Sequence, residues 1–329
     1  MKKKIQRILI SGEKDEMSLN PTIKMNIDDS KWEECHKEYE KTILLFISGR
    51  CNLNCSYCFN RYNLNDREMN VDFIEKIVKA NPDVKKYDIQ GGEPCLHKNI
   101  NEIISYLNSK NKKVGLYTNG YLLGNLNKDH KNLKICISSQ AITSKDKSLK
   151  PIKDITNNIL KFQSIYPIKI VYLLNRSNRA ILFKFIKYVE DNFSYIKKIT
   201  VGLVRNEGDY WSDEAEYVLP FKDYAKAVQN LLDTYEGRLD LDIFTKGILR
   251  SNKLPKSQKN QICRFKNVFY DGTYVPCLYL IAKDKKIKLP TDMKIPYSVF
   301  QRCARTGKGN CLADKIYLLN KKNGNNKDK

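Results

Sequence analysis

Residues 42–58 read TILLFISGRCNLNCSYC, and the organisation of the whole chain follows from them. The first six, 42–47, form an apolar run rich in β-branched side chains, the pattern of a strand buried on both faces. Behind it, after Ser48, Gly49 and Arg50, stand Cys51, Cys55 and Cys58 in a C-x3-C-x2-C spacing. Three thiolates on one tight loop can hold three irons of a [4Fe–4S] cluster and leave the fourth iron without a protein thiolate. An open coordination position is how a metal centre admits a substrate. From these residues alone two other readings stand beside it: a zinc site, or three cysteines packed into a core.

Further runs of the same kind recur at 86–90, 113–118, 133–138, 168–174 and 199–204, with amphipathic helical patterns at 72–80, 100–109, 156–165 and 180–192. Six strands alternating with helices predict an α/β fold, a partial (β/α)6 TIM-like barrel of parallel strands. Its chemistry belongs at the C-terminal ends of the strands. Five divisions follow. Residues 1–41 are an N-terminal extension with a candidate helix at 28–41 carrying Trp32, Cys35 and His36, and 42–205 are the core. Residues 206–262 are a linker, with an acidic loop at 206–216, a bridging helix at 221–235 and a short strand near 239–244. Residues 263–318 form a small cysteine-rich hairpin domain, and 319–329 a polar, disordered tail. Within 268–279, Asp271-Gly272 between apolar arms predicts a hairpin, because Gly supplies the positive φ of a tight turn.

The chain has 329 residues, 41% of them hydrophobic, enough to build a core. The formal net charge of +22 invites a nucleic-acid partner. Its lysines are spread along the whole chain, however, so nucleic acid is not the expected partner, and an acidic peptide or phosphorylated substrate suits the charge equally. No apolar segment reaches the roughly 18 residues that span a membrane. The opening MKKKIQRILI lacks the apolar core and small-residue cleavage site of a signal peptide, so a cytoplasmic protein is expected. Ten cysteines in that compartment point to metal or catalytic use rather than disulfides.

Later strand ends carry further motifs. Tyr57 stands just before the third cysteine of the triplet. Gly91-Gly92-Glu93-Pro94 follows the second strand, Thr118-Asn119-Gly120 closes the third, Ile137-Ser138-Ser139-Gln140 the fourth, and Leu174-Asn175 the fifth. With the triplet, these stations resemble the radical S-adenosylmethionine (radical SAM) superfamily over most of 42–205. The resemblance implies a catalytic [4Fe–4S] cluster on Cys51, Cys55 and Cys58, whose open iron chelates the amino and carboxylate groups of S-adenosylmethionine. It implies reductive cleavage of that cofactor to a 5′-deoxyadenosyl radical that abstracts hydrogen from the substrate. The electron comes from an external one-electron reductant such as flavodoxin or ferredoxin. It further implies Tyr57 at the adenine, the backbone of Gly91 and Gly92 with Glu93 at the methionine ammonium, and Asn119 and Ser138 at the bound cofactor. Asn175 would reach the ribose. Gln140 stands where the family commonly has Asp.

Cys263, Cys277, Cys303 and Cys311 resemble the start of the extensions called SPASM or twitch domains, which carry auxiliary [4Fe–4S] clusters. Four thiolates suffice for one cluster, not two, so the twitch form fits better. A structural zinc site and unligated buried cysteines are the alternatives. Cys35, Cys95 and Cys136 read as small packed hydrophobes. Cys95, directly after GGEP, has hydrogen donation to a substrate radical as its second reading, and His97 reads as structural. The expected function is modification of a peptide or protein side chain. The first alternative is a dehydrogenase of a small polar metabolite such as an aminosugar. The second, from another class, is a non-catalytic zinc protein that binds RNA.

Overall fold

The computed structural model describes residues 8–10, 23–25, 42–204 apart from 56, 59 and 145–148, then 217, 219, 221–243, 261–263, 266–275, 287–288, 291–293 and 298–300. Two short strands, β1 (Ile8–Ile10) and β2 (Ile23–Met25), pair antiparallel with each other. The expected helix at 28–41, the acidic loop at 206–216 with Tyr210 and Trp211, and the tail at 319–329 lie outside the described residues.

The core is a run of parallel strands: β3 (Thr42–Ser48), β4 (Lys86–Gly91), β5 (Lys113–Thr118), β6 (Leu133–Ser138), β7 (Ile168–Leu174) and β8 (Lys198–Leu203). Each lies beside its neighbour in sequence. A seventh strand, β9 (Asp240–Ile243), continues the parallel ladder on β8. The crossovers carry α1 (Val71–Ala80), α2 (Ile100–Ser109), α3 (Thr156–Phe162), α4 (Leu182–Asn192) and α5 (Phe221–Thr234). This is the open βα barrel that the alternation of apolar runs predicts.

Local chemistry accounts for the elements. Helix α1 begins where the Asn70 side chain accepts from the amide of Asp72 at 2.9 Å, satisfying one orphan donor of the first turn. It buries Ile74, Ile77 and Val78, spaced three to four apart on one face. Strand β3 is buried at every position, as its apolar run requires. Strand β7 instead alternates buried and half-buried positions. Its half-buried side, with Lys169, is continuous through the register with Cys136 and Ser138 on β6 and with Asp88 and Gln90 on β4. Double burial, expected for all these strands, therefore holds for β3; the others turn one apolar face to the helices and a more polar face to the barrel interior.

The predicted hairpin is formed by β11 (Asn267–Phe269) and β12 (Thr273–Val275), turning at Gly272 with φ of 76°. It is joined to the main sheet, because β11 pairs parallel with β3 and β12 pairs with β13 (Ile287–Lys288). Phe269 stacks on Phe46 with ring centroids 4.4 Å apart, both rings fully buried. The apolar arm of the hairpin thus covers the open edge of β3, which would otherwise expose a row of unpaired backbone groups. β10 (Gln261–Cys263) and β14 (Ser298–Phe300) form a separate antiparallel pair.

Candidate functional site

The chain leaves β3 at Gly49 and returns to it twenty residues later. Gly49 donates to Arg67 O at 2.9 Å, Asn65 donates back to Gly49 O at 3.0 Å, and Met69 donates to Ile47 O at 2.7 Å. The closed excursion carries Cys51, Cys55 and Cys58. Within it Cys58 N donates to Cys55 O at 3.1 Å and Arg61 N to Cys58 O at 3.2 Å, tight turns that keep the last two cysteines together. His97 Nε2 meets Met69 O at 2.9 Å, fixing the point of return, which is the structural role expected of it. The C-terminal hairpin braces the same excursion: the Tyr270 hydroxyl donates to Asn63 O at 2.7 Å.

The GGEP segment is joined to the root of this loop backbone to backbone. Gly92 N donates to Ser48 O at 2.8 Å, and Glu93 N to Arg50 O at 2.7 Å. A Cβ on Gly91 would lie 2.4 Å from Ser48 O, and one on Gly92 would lie 2.1 Å from Arg50 O. Gly91 also has φ of 144°, a region L side chains rarely adopt. In this chain the two glycines are needed for the approach of β4 to the cysteine loop itself. Glu93 turns inward rather than to the loop's open side. Its carboxylate is 1% exposed and accepts from Thr118 Oγ1 at 2.7 Å, Cys95 N at 3.0 Å and Asn119 N at 2.8 Å. Asn119 in turn donates to Asn52 Oδ1, inside the cysteine loop, at 2.8 Å. The ends of β3, β4 and β5 are thereby tied into one unit.

At the end of β6, Ser138 Oγ accepts from Gln140 Nε2 at 2.8 Å and from Lys150 Nζ at 3.0 Å. Gln140 Oε1 accepts from the Tyr57 hydroxyl, which brings the aromatic residue of the triplet to the fourth strand end. Asn175, at the end of β7, is fully buried, and its Oδ1 accepts from Ser177 N at 2.9 Å and Asn178 N at 3.1 Å. Its Nδ2 has no partner among the described residues. The structure therefore gathers the cysteine triplet, Tyr57, the GGEP segment, Asn119 and Ser138 at the C-terminal ends of four neighbouring strands, with Asn175 on the next strand end along. Beside the triplet lies an open cleft of about 340 Å³, walled in part by Arg50, Cys51, Asn65 and Leu96. Sequence reasoning missed Asn52 and Lys150. Asn52 offered no signal beyond its place inside the triplet, and Lys150 none beyond standing before a proline.

Burial governs the titration of the loop. It pushes the Cys51 thiol up to about 11, reinforced by Glu93 and by the other two cysteines, against a hydrogen bond from the Leu53 backbone. It raises Cys58 too, opposed by the Lys150 ammonium and the Asn60 amide. Burial and the neighbouring cysteines thus disfavour the thiolate forms, which a bound cation would favour. Among the described residues no three His, Cys, Asp or Glu side chains converge on a point that could hold a single metal ion. A four-iron cluster binds each thiolate to a different iron, so its ligands stand farther apart than those of one ion. The donor set, three soft thiols on one braced loop, fits such a cluster. Cys95 and Cys136 are buried, and burial raises both thiols. Cys263 lies in β10, while Cys35, Cys277, Cys303 and Cys311 lie outside the described residues. No helix among the described residues is long and apolar enough to cross a membrane.

Residues 45–163 match the family model of the Radical SAM superfamily. Among curated proteins, the GTP 3′,8-cyclase of Helicobacter pylori strain 26695 is 30% identical over 195 residues, covering 50% of this chain and 60% of the cyclase. A probable GTP 3′,8-cyclase of Methanococcus maripaludis is 41% identical over 88 residues, covering 25% of this chain and 30% of that protein. The chain thus spans less than two thirds of these relatives. Among solved structures, Streptococcus suis SuiB bound to the precursor peptide SuiA superposes with a TM-score of 0.62 at 16% identity, over 85% of this chain and 72% of SuiB. Native anSMEcpe with bound AdoMet gives 0.58 at 21% identity, over 77% of this chain and 78% of that one. At these identities the structural likeness is one of fold.

Proposed function

We propose, from the match of residues 45–163 to the Radical SAM superfamily, that this chain is a radical SAM enzyme with a [4Fe–4S] cluster and S-adenosylmethionine as cofactors, abstracting hydrogen from a peptide or protein side chain. The observation that carries the radical chemistry is the joining of the cysteine loop to GGEP. The three thiols sit on an excursion from β3 whose root is hydrogen-bonded directly to Gly92 and Glu93. In this reading Cys51, Cys55 and Cys58 hold the catalytic cluster. When bound, cluster and cofactor supply a one-electron reductive cleavage that yields a 5′-deoxyadenosyl radical.

The chain's own residues position and shield that chemistry. Tyr57, held through its hydroxyl by Gln140, presents its ring beside Cys58 as the adenine contact. Gly91 and Gly92 offer backbone at the methionine ammonium. Glu93 acts one step back: its buried carboxylate fixes Asn119 and the end of β5 against the loop. Ser138 and Asn119 line the cofactor, and Asn175, whose Nδ2 has no partner among the described residues, is the ribose contact. An external reductant of the flavodoxin or ferredoxin class supplies the electron. Cys263, Cys277, Cys303 and Cys311 carry one auxiliary cluster of the twitch kind, and the chain works as an oxidoreductase or maturase in the cytoplasm.

The peptide substrate is supported by the extent of the fold shared with SuiB, whose structure contains a precursor peptide. A small-molecule substrate is the second reading, favoured by the sequence likeness to GTP 3′,8-cyclases. The test is anaerobic reconstitution followed by dithionite and S-adenosylmethionine. 5′-Deoxyadenosine is expected, and it should vanish when Cys51, Cys55 and Cys58 are replaced together by Ala. A triple variant that still forms it refutes the site. Addition of GTP separates the substrates: consumption of GTP with a rise in 5′-deoxyadenosine would displace the peptide reading.

A further inference from the structure

We propose that Lys150 is a fixed cation of the cysteine loop, placed to offset the negative charge of the centre held by Cys51, Cys55 and Cys58 and so to favour its reduced state. This rests on the cluster reading above. The Lys150 ammonium donates to Ser138 Oγ at 3.0 Å and lies 5.8 Å from the centre of the Tyr57 ring, the residue preceding Cys58. Leu149, the residue before Lys150, packs in the same small apolar cluster as Cys55, Tyr57 and Cys58. A [4Fe–4S] centre on three thiolates is a net anion, and it gains one more negative charge on reduction. A nearby cation therefore stabilises the reduced state more than the oxidised one.

Two features show that the placement is imposed by the fold. Lys150 has φ of 49°, in the left-handed region that non-glycine residues rarely adopt. It also precedes Pro151, and the residue before a proline favours an extended backbone. The conformation is held from both sides. Ser139 Oγ donates to Lys150 O at 2.6 Å, Gln140 N donates to Leu149 O at 3.0 Å, and Ile152 N donates to Ala141 O at 2.8 Å. Strain that the surroundings over-determine is characteristic of functional positions.

Among the described residues the charge is left uncancelled. Gln140 is a neutral amide whose two ends are committed to Tyr57 and Ser138. Among the described residues, no carboxylate forms an ion pair with Lys150.

The experiment is an anaerobic redox titration of the reconstituted full-length chain, followed by electron paramagnetic resonance of the reduced cluster. It is run without S-adenosylmethionine, so that cofactor binding does not contribute. Lys150→Met should move the midpoint to lower potential. Lys150→Arg, which keeps the charge, and Lys153→Met, which removes an equal charge from an exposed site three residues away, should both stay with the parent. An unchanged midpoint in Lys150→Met, or an equal fall in Lys153→Met, overturns the proposal. If Lys150→Met takes up no cluster, Lys150→Gln replaces it. Loss of cluster in both neutral variants with retention in Lys150→Arg supports the charge role, whereas equal loss in Lys150→Arg overturns it. A parent chain that takes up no cluster sinks the reading beneath, and the proposal with it; a loaded parent with an unmoved Lys150→Met midpoint sinks Lys150 alone.

Discussion

Replacing Gly92 by Ala tests the junction between the GGEP segment and the cysteine loop without touching any thiol. The new Cβ would lie 2.1 Å from Arg50 O, where real contacts are essentially never under 3.0 Å. Backbone must therefore part from backbone by about 1 Å, since close-packed interiors leave no slack to absorb the overlap. Such a movement lengthens the Gly92–Ser48 and Glu93–Arg50 hydrogen bonds, now 2.8 and 2.7 Å, beyond useful range. Two backbone bonds lost in a buried setting cost about 2–4 kcal/mol. The same shift carries Arg50 and so Cys51, and a misplacement of about 1 Å at a reacting centre costs on the order of 100-fold in rate. The assay pairs urea unfolding under anaerobic conditions with 5′-deoxyadenosine formation under dithionite. Gly124→Ala is the control, because nothing lies within 4 Å of its would-be Cβ; its stability should stay within about 0.5 kcal/mol of the parent. A Gly92→Ala chain that matches the parent in both urea midpoint and rate would refute the claim that this glycine is required by the approach of Arg50.

Three further changes probe the frame around the site. Phe269→Ala should cost about 3–5 kcal/mol in urea unfolding, because the fully buried ring stacks on Phe46 at the β3 edge; a loss below 1 kcal/mol, roughly the cost of a small trim, would mean the hairpin does not seal that edge. Asn70→Ala removes the acceptor for Asp72 N and should cost about 1 kcal/mol, and an unchanged midpoint would show the cap is not formed. Glu93→Gln leaves one backbone donor unpaired, at about 1–3 kcal/mol. Burial holds the Glu93 carboxyl above its ordinary range. The folded chain thus binds that proton more tightly than the unfolded one, and parent stability falls as pH rises from the ordinary carboxylate value through the raised one. The Gln variant lacks this titration, so the gap between the two should narrow from pH 5 to pH 8; a gap that widens contradicts the assignment.

The strands at 113–118, 133–138 and 168–174 were legible to the residue, because each apolar run stops at a motif that must be non-strand: Asn119-Gly120, Ser139-Gln140, Asn175. The Asp271-Gly272 turn was legible for the same local reason, a positive φ that only glycine adopts freely. The place of that hairpin was not. Its contact with β3 joins residues more than two hundred positions apart, as in the pairing of Asn267 with Leu44, and the two elements share nothing in sequence beyond being apolar. The face polarity of β7 escaped as well: Ile, Val, Tyr and Leu dominate its composition, yet alternate positions are only half-buried. Lys150 was invisible because its conformation contradicts local preference on two counts, and only long-range clamps sustain it.

The site thereby gains a physical logic that its cysteines alone do not supply. Thiolates crowded on one loop repel one another, and burial, which raises the Cys51 thiol most, disfavours them further. A loop held only by its metal would fall apart whenever the metal left. Here the loop is anchored by backbone hydrogen bonds to β3 at Gly49 and Ile47, to β4 at Gly92 and Glu93, and through Asn52 and Asn119 to β5. The anchoring groups are peptide amides, a buried carboxylate and two Asn side chains, none of which needs iron to form its bond. Glu93 is the hinge of this arrangement, since one carboxylate serves the ends of β4 and β5 at once. Placing a charged acceptor in so dry a position costs solvation, which its three donors repay only in part. What the fold obtains is a cysteine loop anchored by bonds that need no metal to form.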